Sequence, residues 1–334
     1  MFLLIHLSEF NTSHSFSNFL KATPFSLLIG TFSGLLYGTS NYYFNHRIYN
    51  RRPLGAATLI GTLSLGLISI TSSSAGIKLY MYMEGLTVNY ETVMPMLFST
   101  GSITFIGYSF LMAFFASFLD QIDYRFGPGN LKKLMIGTYY NPKQEERIFM
   151  FLDLRSSTTH AEKLGHKKYS KLIQDCFELL SVVTKHKAEI YQYVGDEVVL
   201  TWTTKDGLKN ANCIRAFQAF RENLLRYESH FQKNYGVFPE FKAGLNIGMV
   251  TAAEIGQVKR DIQYFGDAIN VAARIQDFCN HLGHDLLFSD TLADRLPKNS
   301  PYQLISLGSV ELKGLSGKTN LHSIEDFAQN ETVN

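Results

Sequence analysis

Three long stretches of the first 120 residues contain no Asp, Glu, Lys or Arg: Ala22–His46, Pro53–Ile77 and Thr92–Leu119. Each is longer than the roughly 20 residues that an α-helix needs to span a hydrocarbon core of ~30 Å. Buried core helices of this length without one charged residue are uncommon in soluble proteins. The sequence therefore predicts an all-α transmembrane region, residues 22–119, with three helices at about 24–44, 54–76 and 93–119.

The distribution of charge predicts the orientation of these helices. Of the 31 Lys and Arg residues five precede residue 121, and three of them, Arg47, Arg51 and Arg52, lie between the first two stretches. The positive-inside rule places this loop, and everything after Asp120, in the cytoplasm. We therefore expect a multi-pass protein of the inner membrane, in contact with lipid, whose N-terminal segment 1–21 is extracytoplasmic.

The N-terminus and the first predicted span carry two further signals. The opening "MFLLIHLSEF" lacks a basic region and is a poor signal peptide, although it could end a fourth span that begins upstream. The first span has a small residue at every fourth position, which predicts a packing face against another span or a second chain. These residues are Ser26, Gly30, Gly34 and Gly38.

The remaining chain has the pattern of a soluble domain, residues 147–326, between a coupling segment, 120–146, and a C-terminal tail, 327–334. Residues 161–187 and 210–234 have helical periodicity, and "AEIYQYVG" and "EVVLTWT" predict a hairpin about Gly195-Asp196. "RIFMFLDL" predicts a buried strand, and residues 240–256 two further strands. This order predicts an α+β fold in which helices cover one face of a mostly antiparallel sheet.

Two carboxylates are the first candidates for chemistry. Asp153 ends the first strand and Asp196 stands at the hairpin turn, so adjacent strands would bring both to one point. Such a pair suits Mg²⁺, which takes few protein ligands and completes its shell with water and phosphate. The hydroxyl-bearing residues Ser156, Ser157 and Thr158 follow at a helix start, where free N–H groups can hold phosphate.

Three motifs resemble the class III nucleotidyl cyclase catalytic domain, in order and at similar spacing: "FMFLDLRSST", "YQYVGDEVVLTW" and "YFGDAINVAARIQ". The resemblance implies a ferredoxin-like, palm-type antiparallel sheet with helices. The membrane region and "RFGPGNLKK" look like those of membrane-anchored bacterial adenylate cyclases. An enzyme of this kind converts ATP to 3′,5′-cyclic AMP and pyrophosphate by two-metal-assisted attack of the ribose 3′-oxygen on the α-phosphate, for intracellular signalling.

The resemblance also implies residue roles. Asp153 and Asp196 would bind two Mg²⁺ or Mn²⁺ ions, with the Leu154 carbonyl as a further ligand. Asn270 and Arg274 would orient the ribose and stabilise the transition state; being four residues apart, they share one helix face. Lys313 would bind the terminal phosphates. In this family the Asp pair and the Asn/Arg pair come from different chains, so a homodimer with sites at its interface is expected.

The two positions that would recognise the base depart from the family pattern. Gln192 and Gln263 stand where adenylate cyclases typically have Lys and Asp or Thr, and where guanylate cyclases have Glu and Cys. A carboxamide both donates and accepts, so chemistry alone excludes neither ATP nor GTP. Strand alternation would turn Gln192 inward among tyrosines and valines, where it could also merely bond neighbouring backbone. The rest of the resemblance favours ATP over the guanylate cyclase alternative.

Other functions fit the sequence less well. A catalytically inactive cyclase-like signalling module would not need Asp153, Asp196, Asn270 and Arg274. A diguanylate cyclase would not explain the Asn/Arg helix. The three cysteines lie in the cytoplasmic part without a CxxC pair, which predicts reduced thiols and no zinc site. No feature indicates nucleic-acid binding.

Overall fold

The computed structural model describes residues 30–32, 34–40, 53–83, 85, 100–127, 130–258, 260–312 and 317–325. The chain divides into two compact units, Met1–Leu131 and Lys132–Asn334.

Nearly all of the described residues of the first unit are helical. Residues 30–32 and 34–40 are helical, followed by α1 (Leu54–Met83) and α2 (Thr100–Phe126). Among the described residues one helix is long and apolar enough to cross a membrane, within Leu54–Ser72, with a mean hydropathy of 1.7. The other two predicted spans fall partly outside the described ranges. Helix α2 continues past the predicted end at Leu119, through Asp120, because nothing in that sequence stops a helix before Gly127.

The glycines of these helices differ in how closely other residues pack against them. In α1, Gly66 faces α2 so closely that a methyl group there would lie 2.5 Å from the Phe110 ring. A methyl group at Gly30, Gly34 or Gly38 would meet no heavy atom within 4 Å among the described residues. The predicted small-residue stripe therefore has no partner in the part of this chain that the structure describes, and Ser26 lies outside that part.

The second unit is an α+β domain that begins with a short helix. Its helices are α3 (Asn130–Ile136), α4 (Ser157–Leu179), α5 (Thr204–Leu208), α6 (Asn212–Arg226), α7 (Glu228–Tyr235), α8 (Asp267–Leu282) and α9 (Asp290–Ala293). Its strands are β1 (Lys143–Leu154), β2 (Glu189–Val194), β3 (Glu197–Thr203), β4 (Phe241–Ile255), β5 (Asp261–Phe265), β6 (Leu286–Ser289), β7 (Leu304–Glu311) and β8 (Lys318–Ile324). Two 3₁₀ segments, Leu180–His186 and Lys209–Ala211, extend α4 and precede α6.

The strands form one eight-stranded sheet in the order β2-β3-β1-β4-β6-β8-β7, with β5 paired to the far end of β4. The pairing of β4 with β6 is parallel and the other pairings are antiparallel, as expected for a mostly antiparallel sheet. In the centre, Asp153 of β1 is opposite Glu197 of β3 on one side and Lys242 of β4 on the other. Three polar residues thus meet across the end of the central strands.

The prediction that helices cover one face of the sheet is wrong. Ile148, Met150 and Leu152 of β1 belong to a core that also contains buried residues of α4 and α6. Phe149 and Phe151 point the other way and pack in a second core with residues of α8. A strand that is apolar at every position, rather than at alternate ones, is buried on both faces. Helices therefore cover both faces, and Asp153 shares the face of Phe149 and Phe151, next to α8.

Two element boundaries also differ from prediction. Residues 241–255 form one long strand rather than two, because its halves pair with different partners: β1 and β6 near the start, β5 near the end. The predicted helix 210–234 is divided at Tyr227, whose backbone leaves the helical region. The hairpin about Gly195-Asp196 is confirmed.

All three cysteines lie in the second unit and are buried and free: Cys176, Cys213 and Cys279. Burial raises the pKa of Cys213 and Cys279 to about 12 and that of Cys176 further still. Such thiols are protonated at neutral pH and therefore unreactive. The prediction of reduced, structural thiols agrees with this environment.

Candidate active site

Asp153 occupies the end of β1 and is held by two buried neighbours. Its Oδ2 atom accepts a hydrogen bond from Gln276 Nε2 of α8 at 2.9 Å, and Lys242 Nζ of β4 lies 3.4 Å from the same oxygen. Burial raises the pKa of Asp153; the Lys242 charge opposes this shift, and the nearby Asp196 charge adds to it. Asp196 is therefore close enough for its charge to act on the pKa of Asp153.

Asp196 stands at the tip of the β2–β3 hairpin. Gly195 has a φ of +64°, a conformation that favours glycine, and it turns the chain so that β3 begins directly after Asp196. The Tyr169 hydroxyl of α4 lies against this carboxylate. Burial, the Asp196 charge and a hydrogen bond to Asp196 raise the pKa of Tyr169 to about 12. The phenol is therefore protonated at neutral pH and can donate to Asp196.

Glu197 is a third carboxylate at this point, and sequence reasoning did not give it a role. Burial and the neighbouring charges of Asp153 and Asp196 raise the pKa of Glu197 to about 7. Its pairing opposite Asp153 puts both side chains on the same face of the sheet. The position of Glu197 directly after the Gly-Asp turn, at the start of β3, is the sequence signal from which its place beside Asp153 could have been inferred.

The loop after β1 leads into α4 with an unusual backbone. Ser156 has a φ of +52°, in the left-handed region that costs a residue with a Cβ about 1–2 kcal/mol. Ser157 begins α4, and Ser156 and Thr158 are exposed. Arg155 anchors the loop by donating to Asp285, to Asn280 and to the His284 carbonyl at 2.9–3.0 Å. Ser156 thus ends this loop, and Ser157 and Thr158 lie in the first turn of α4, at the helix start that the sequence predicted.

The chemistry of this donor set fits a divalent cation. Asp153 and Asp196 can supply hard oxygen ligands. Burial, to which the charges of neighbouring carboxylates add, raises the pKa of Asp153 and of Glu197. No group of three or more His, Cys, Asp or Glu residues in the described ranges is arranged around one metal position. Two carboxylates without a full protein shell are typical of Mg²⁺ sites that also use water and substrate phosphates.

Asn270 and Arg274 lie four residues apart on one helix, α8, as predicted. Both side chains are exposed. Arg274 Nη1 lies 3.6 Å from Asp277 Oδ2, a surface ion pair of little energetic weight. Asp277 in turn contributes to the raised pKa of Glu197, so this part of α8 borders the carboxylates. The guanidinium is accessible to a ligand or to another chain.

Gln192 does not lie inward. The β2–β3 register shifts between Ile190 and Gln192, an irregularity that breaks strict alternation and leaves Gln192 exposed. The inward position is taken by Tyr191, whose ring packs against Tyr264. The alternation argument for Gln192 was wrong because periodicity alone does not reveal a bulge.

Gln263 has a defined partner. The Tyr191 hydroxyl donates to Gln263 Oε1 at 2.7 Å, and the Tyr264 backbone N–H donates to the same hydroxyl at 3.5 Å. Two strands, β2 and β5, are joined by this contact. This hydrogen bond uses one of the two lone pairs of the Gln263 oxygen and orients the carboxamide, so that its NH₂ group is directed away from Tyr191.

Two predicted residues add little to this picture. Leu154 follows Asp153 with its side chain buried in the core. Lys313 lies outside the described residues. Sequence reasoning missed Lys242 and Gln276, which contact Asp153 from a neighbouring strand and a helix that lie far from it in the chain.

Comparison with known proteins gives the family. Residues 139–326 match the family described as "Adenylate and Guanylate cyclase catalytic domain". "Adenylate cyclase 2" of Rhizobium meliloti (strain 1021) is 30% identical over 284 residues, covering 83% of this chain and 76% of that protein. "Receptor-type guanylate cyclase gcy-27" of Caenorhabditis elegans is 25% identical over 199 residues, covering 55% of this chain but 26% of that protein.

Solved structures agree on the fold. A bacterial light-regulated adenylyl cyclase superposes with a TM-score of 0.57 at 19% sequence identity, covering 69% of this chain and 67% of that one. The family match and the fold thus define a nucleotidyl cyclase catalytic domain. The chain belongs to the adenylate and guanylate cyclase family, the class III nucleotidyl cyclases, and is an enzyme of that family.

Proposed function

We propose that this enzyme converts ATP to 3′,5′-cyclic AMP and pyrophosphate. The observation that carries the proposal is the meeting of Asp153 and Asp196 beside a hydroxyl-rich loop, in a chain 30% identical over most of its length to an adenylate cyclase. Asp153 and Asp196, with the Leu154 carbonyl, would hold Mg²⁺ or Mn²⁺. When bound, these ions would neutralise the triphosphate and acidify the ribose 3′-hydroxyl.

The other residues bind and orient the nucleotide in this proposal. Ser156, Ser157 and Thr158 hold phosphate at the start of α4 through hydroxyls and free backbone N–H groups. Asn270 positions the ribose, and Arg274 stabilises the charge that develops on the α-phosphate. Lys313 contacts the terminal phosphates. The 3′-oxygen attacks the α-phosphorus as the bond to the leaving pyrophosphate breaks.

We further propose that the working enzyme is a homodimer whose sites combine Asp153 and Asp196 of one chain with Asn270 and Arg274 of the other. The exposure of Asn270 and Arg274 supports this arrangement, because neither is committed to the core of its own domain.

We also propose that the protein is anchored in the inner membrane by the region 22–119, with the catalytic domain, 147–326, in the cytoplasm. The apolar stretch Leu54–Ser72 supports an anchor.

A guanylate cyclase is the second candidate, and one contact favours it. Adenine presents N6–H₂ as a donor, which a carboxamide oxygen could accept, whereas guanine presents O6 as an acceptor. The bond from Tyr191 orients the Gln263 carboxamide so that its NH₂ group is directed away from Tyr191, and this donor suits guanine O6. That donor can also meet adenine N1, so the contact does not exclude ATP.

Product identification tests the proposed function directly. Purified full-length protein is given equal concentrations of ATP and GTP with Mn²⁺, and the cyclic products are separated by chromatography. We expect cyclic AMP as the main product. Predominance of cyclic GMP would replace the first candidate with the second, and no turnover of either nucleotide with Mg²⁺ or Mn²⁺ would contradict both.

The Tyr191→Phe substitution is expected to raise the preference for ATP over GTP. Without the hydroxyl, the Gln263 amide can turn its oxygen toward adenine N6, while the ring still packs on Tyr264. A neutral hydrogen bond is worth about 0.5–1.5 kcal/mol, so the ratio of kcat/KM values should rise about twofold to twelvefold. Steady-state kinetics with each nucleotide give this ratio.

Tyr227→Phe is the matched control for this substitution. It removes a hydroxyl from an exposed tyrosine outside the site, and it should leave the ratio unchanged. If Tyr191→Phe also leaves the ratio unchanged, the orientation of Gln263 plays no part in base selection.

A further inference from the structure

Asp153 has one engaged oxygen and one that is left for a ligand. Both of its contacts, from Gln276 Nε2 at 2.9 Å and Lys242 Nζ at 3.4 Å, reach Oδ2. No described residue makes a hydrogen bond or ion pair with Oδ1. A carboxylate held in this way can turn only one oxygen toward a cation.

The two groups that hold Asp153 are themselves fixed in place. Lys242 is 8% exposed and Gln276 is 4% exposed. Lys242 sits opposite Asp153 in the β1–β4 pairing, so strand register sets its position. Gln276 is brought close by Gly244 of β4, where a methyl group would lie 2.2 Å from the Gln276 backbone nitrogen. Strand register and the close packing of α8 on β4 therefore set the backbone positions from which both side chains reach Asp153.

The two groups differ in charge, and this difference separates their effects. Lys242 is the cation that opposes the raised pKa of both Asp153 and Glu197, so its charge acts on the whole carboxylate cluster. Gln276 is neutral and contributes a directed hydrogen bond only. A fixed cation beside the carboxylates repels any further cation that approaches them, whereas a neutral donor does not.

We propose that Gln276 and Lys242 are positioning residues with opposite effects on metal binding, an inference that rests on the metal-binding role of Asp153 in the proposed function. Gln276 holds Oδ2 and so turns Oδ1 toward the position between Asp153 and Asp196. Lys242 stands in for a cation when none is bound and lowers the affinity for a free divalent ion. The metal then binds together with a nucleoside triphosphate, whose negative charge offsets that of Lys242.

Mn²⁺ titration followed by electron paramagnetic resonance tests this inference on the purified full chain without nucleotide. The substitution Gln276→Met keeps the length of the side chain and removes the donor; loss of such an outer-shell contact should weaken Mn²⁺ binding about tenfold. The substitution Lys242→Met keeps the apolar stem and removes the charge; it should tighten binding, on the order of tenfold. Lys298→Met, which removes an exposed lysine outside the site, should change nothing.

Weaker Mn²⁺ binding by Gln276→Met together with tighter binding by Lys242→Met supports the inference. Any other combination of shifts, or no shift in either variant, overturns it. Emission from Trp202, the single tryptophan and fully buried, checks that each variant is folded. If Lys242→Met does not fold, Lys242→Gln removes the same charge and carries the same expectation. Asp153→Asn distinguishes a failure of the proposed function from a failure of this inference. If this variant binds Mn²⁺ as well as the wild type does, Asp153 is not a metal ligand, whatever Gln276 and Lys242 do.

Discussion

Substitution of Asp196 by alanine is expected to abolish formation of the cyclic nucleotide in a protein that remains folded. The carboxylate is at a hairpin tip, where its removal leaves the β2–β3 pairing and the core beneath it intact. Loss of one of two metal-binding carboxylates removes several kcal/mol of charge stabilisation. Since 1.36 kcal/mol corresponds to a factor of ten, activity should fall about a thousandfold or more.

Product formation from ATP with saturating Mn²⁺ measures this loss. Trp202 emission and thermal unfolding establish that the variant is folded. Asp294→Ala is the matched control, because it removes an exposed aspartate from a different part of the domain and should retain full activity. Activity in Asp196→Ala within a few-fold of the wild type would refute the metal-binding role of Asp196.

Mixing two inactive variants is expected to restore activity. Arg274→Ala should lower kcat about a hundredfold to a thousandfold, since the arginine is proposed to stabilise transition-state charge. In a mixed dimer of Arg274→Ala and Asp196→Ala chains, both defects fall in one site and the other site is intact. Random assembly of equal amounts makes half the dimers mixed, so about a quarter of wild-type activity should return.

Co-expression of the two chains with different affinity tags, followed by an assay of the purified mixture, measures this recovery. A mixture of Asp153→Ala and Asp196→Ala chains is the control, because each site of that mixed dimer has a defective carboxylate pair and no recovery is expected. Absence of recovery in the first mixture, despite isolation of the mixed dimer, would show that all four residues act within one chain.

Local sequence patterns predicted the parts of the site that lie on single elements. Asp196 follows from a Gly-Asp turn between two short strands, and the pairing of Asn270 with Arg274 follows from helical spacing. The contacts of Asp153 could not be predicted in the same way. Lys242 is 89 positions and Gln276 123 positions away along the chain, and only strand register and the docking of α8 bring them to one oxygen.

The errors in the predicted fold have the same origin. The apolar run in β1 predicted burial, but not that α8 would complete a second core on the face opposite α4 and α6. The bulge in β2 that exposes Gln192 and turns Tyr191 inward is set by cross-strand pairing, which periodicity does not contain. Tertiary contacts therefore decide how α8 is placed and which side chain of β2 faces inward, and local sequence patterns do not contain them.

The burial of Cys176, Cys213 and Cys279 has a practical consequence for following this enzyme at work. Because these thiols are protonated and inaccessible, maleimide probes should not label the native protein, and a cysteine introduced on an exposed surface becomes the sole point of attachment. A spin label or fluorophore could then be placed on the hairpin or on α8 without first removing the natural thiols. Single-cysteine variants of the wild-type chain could therefore be used to measure distances between the two chains of the proposed dimer during turnover.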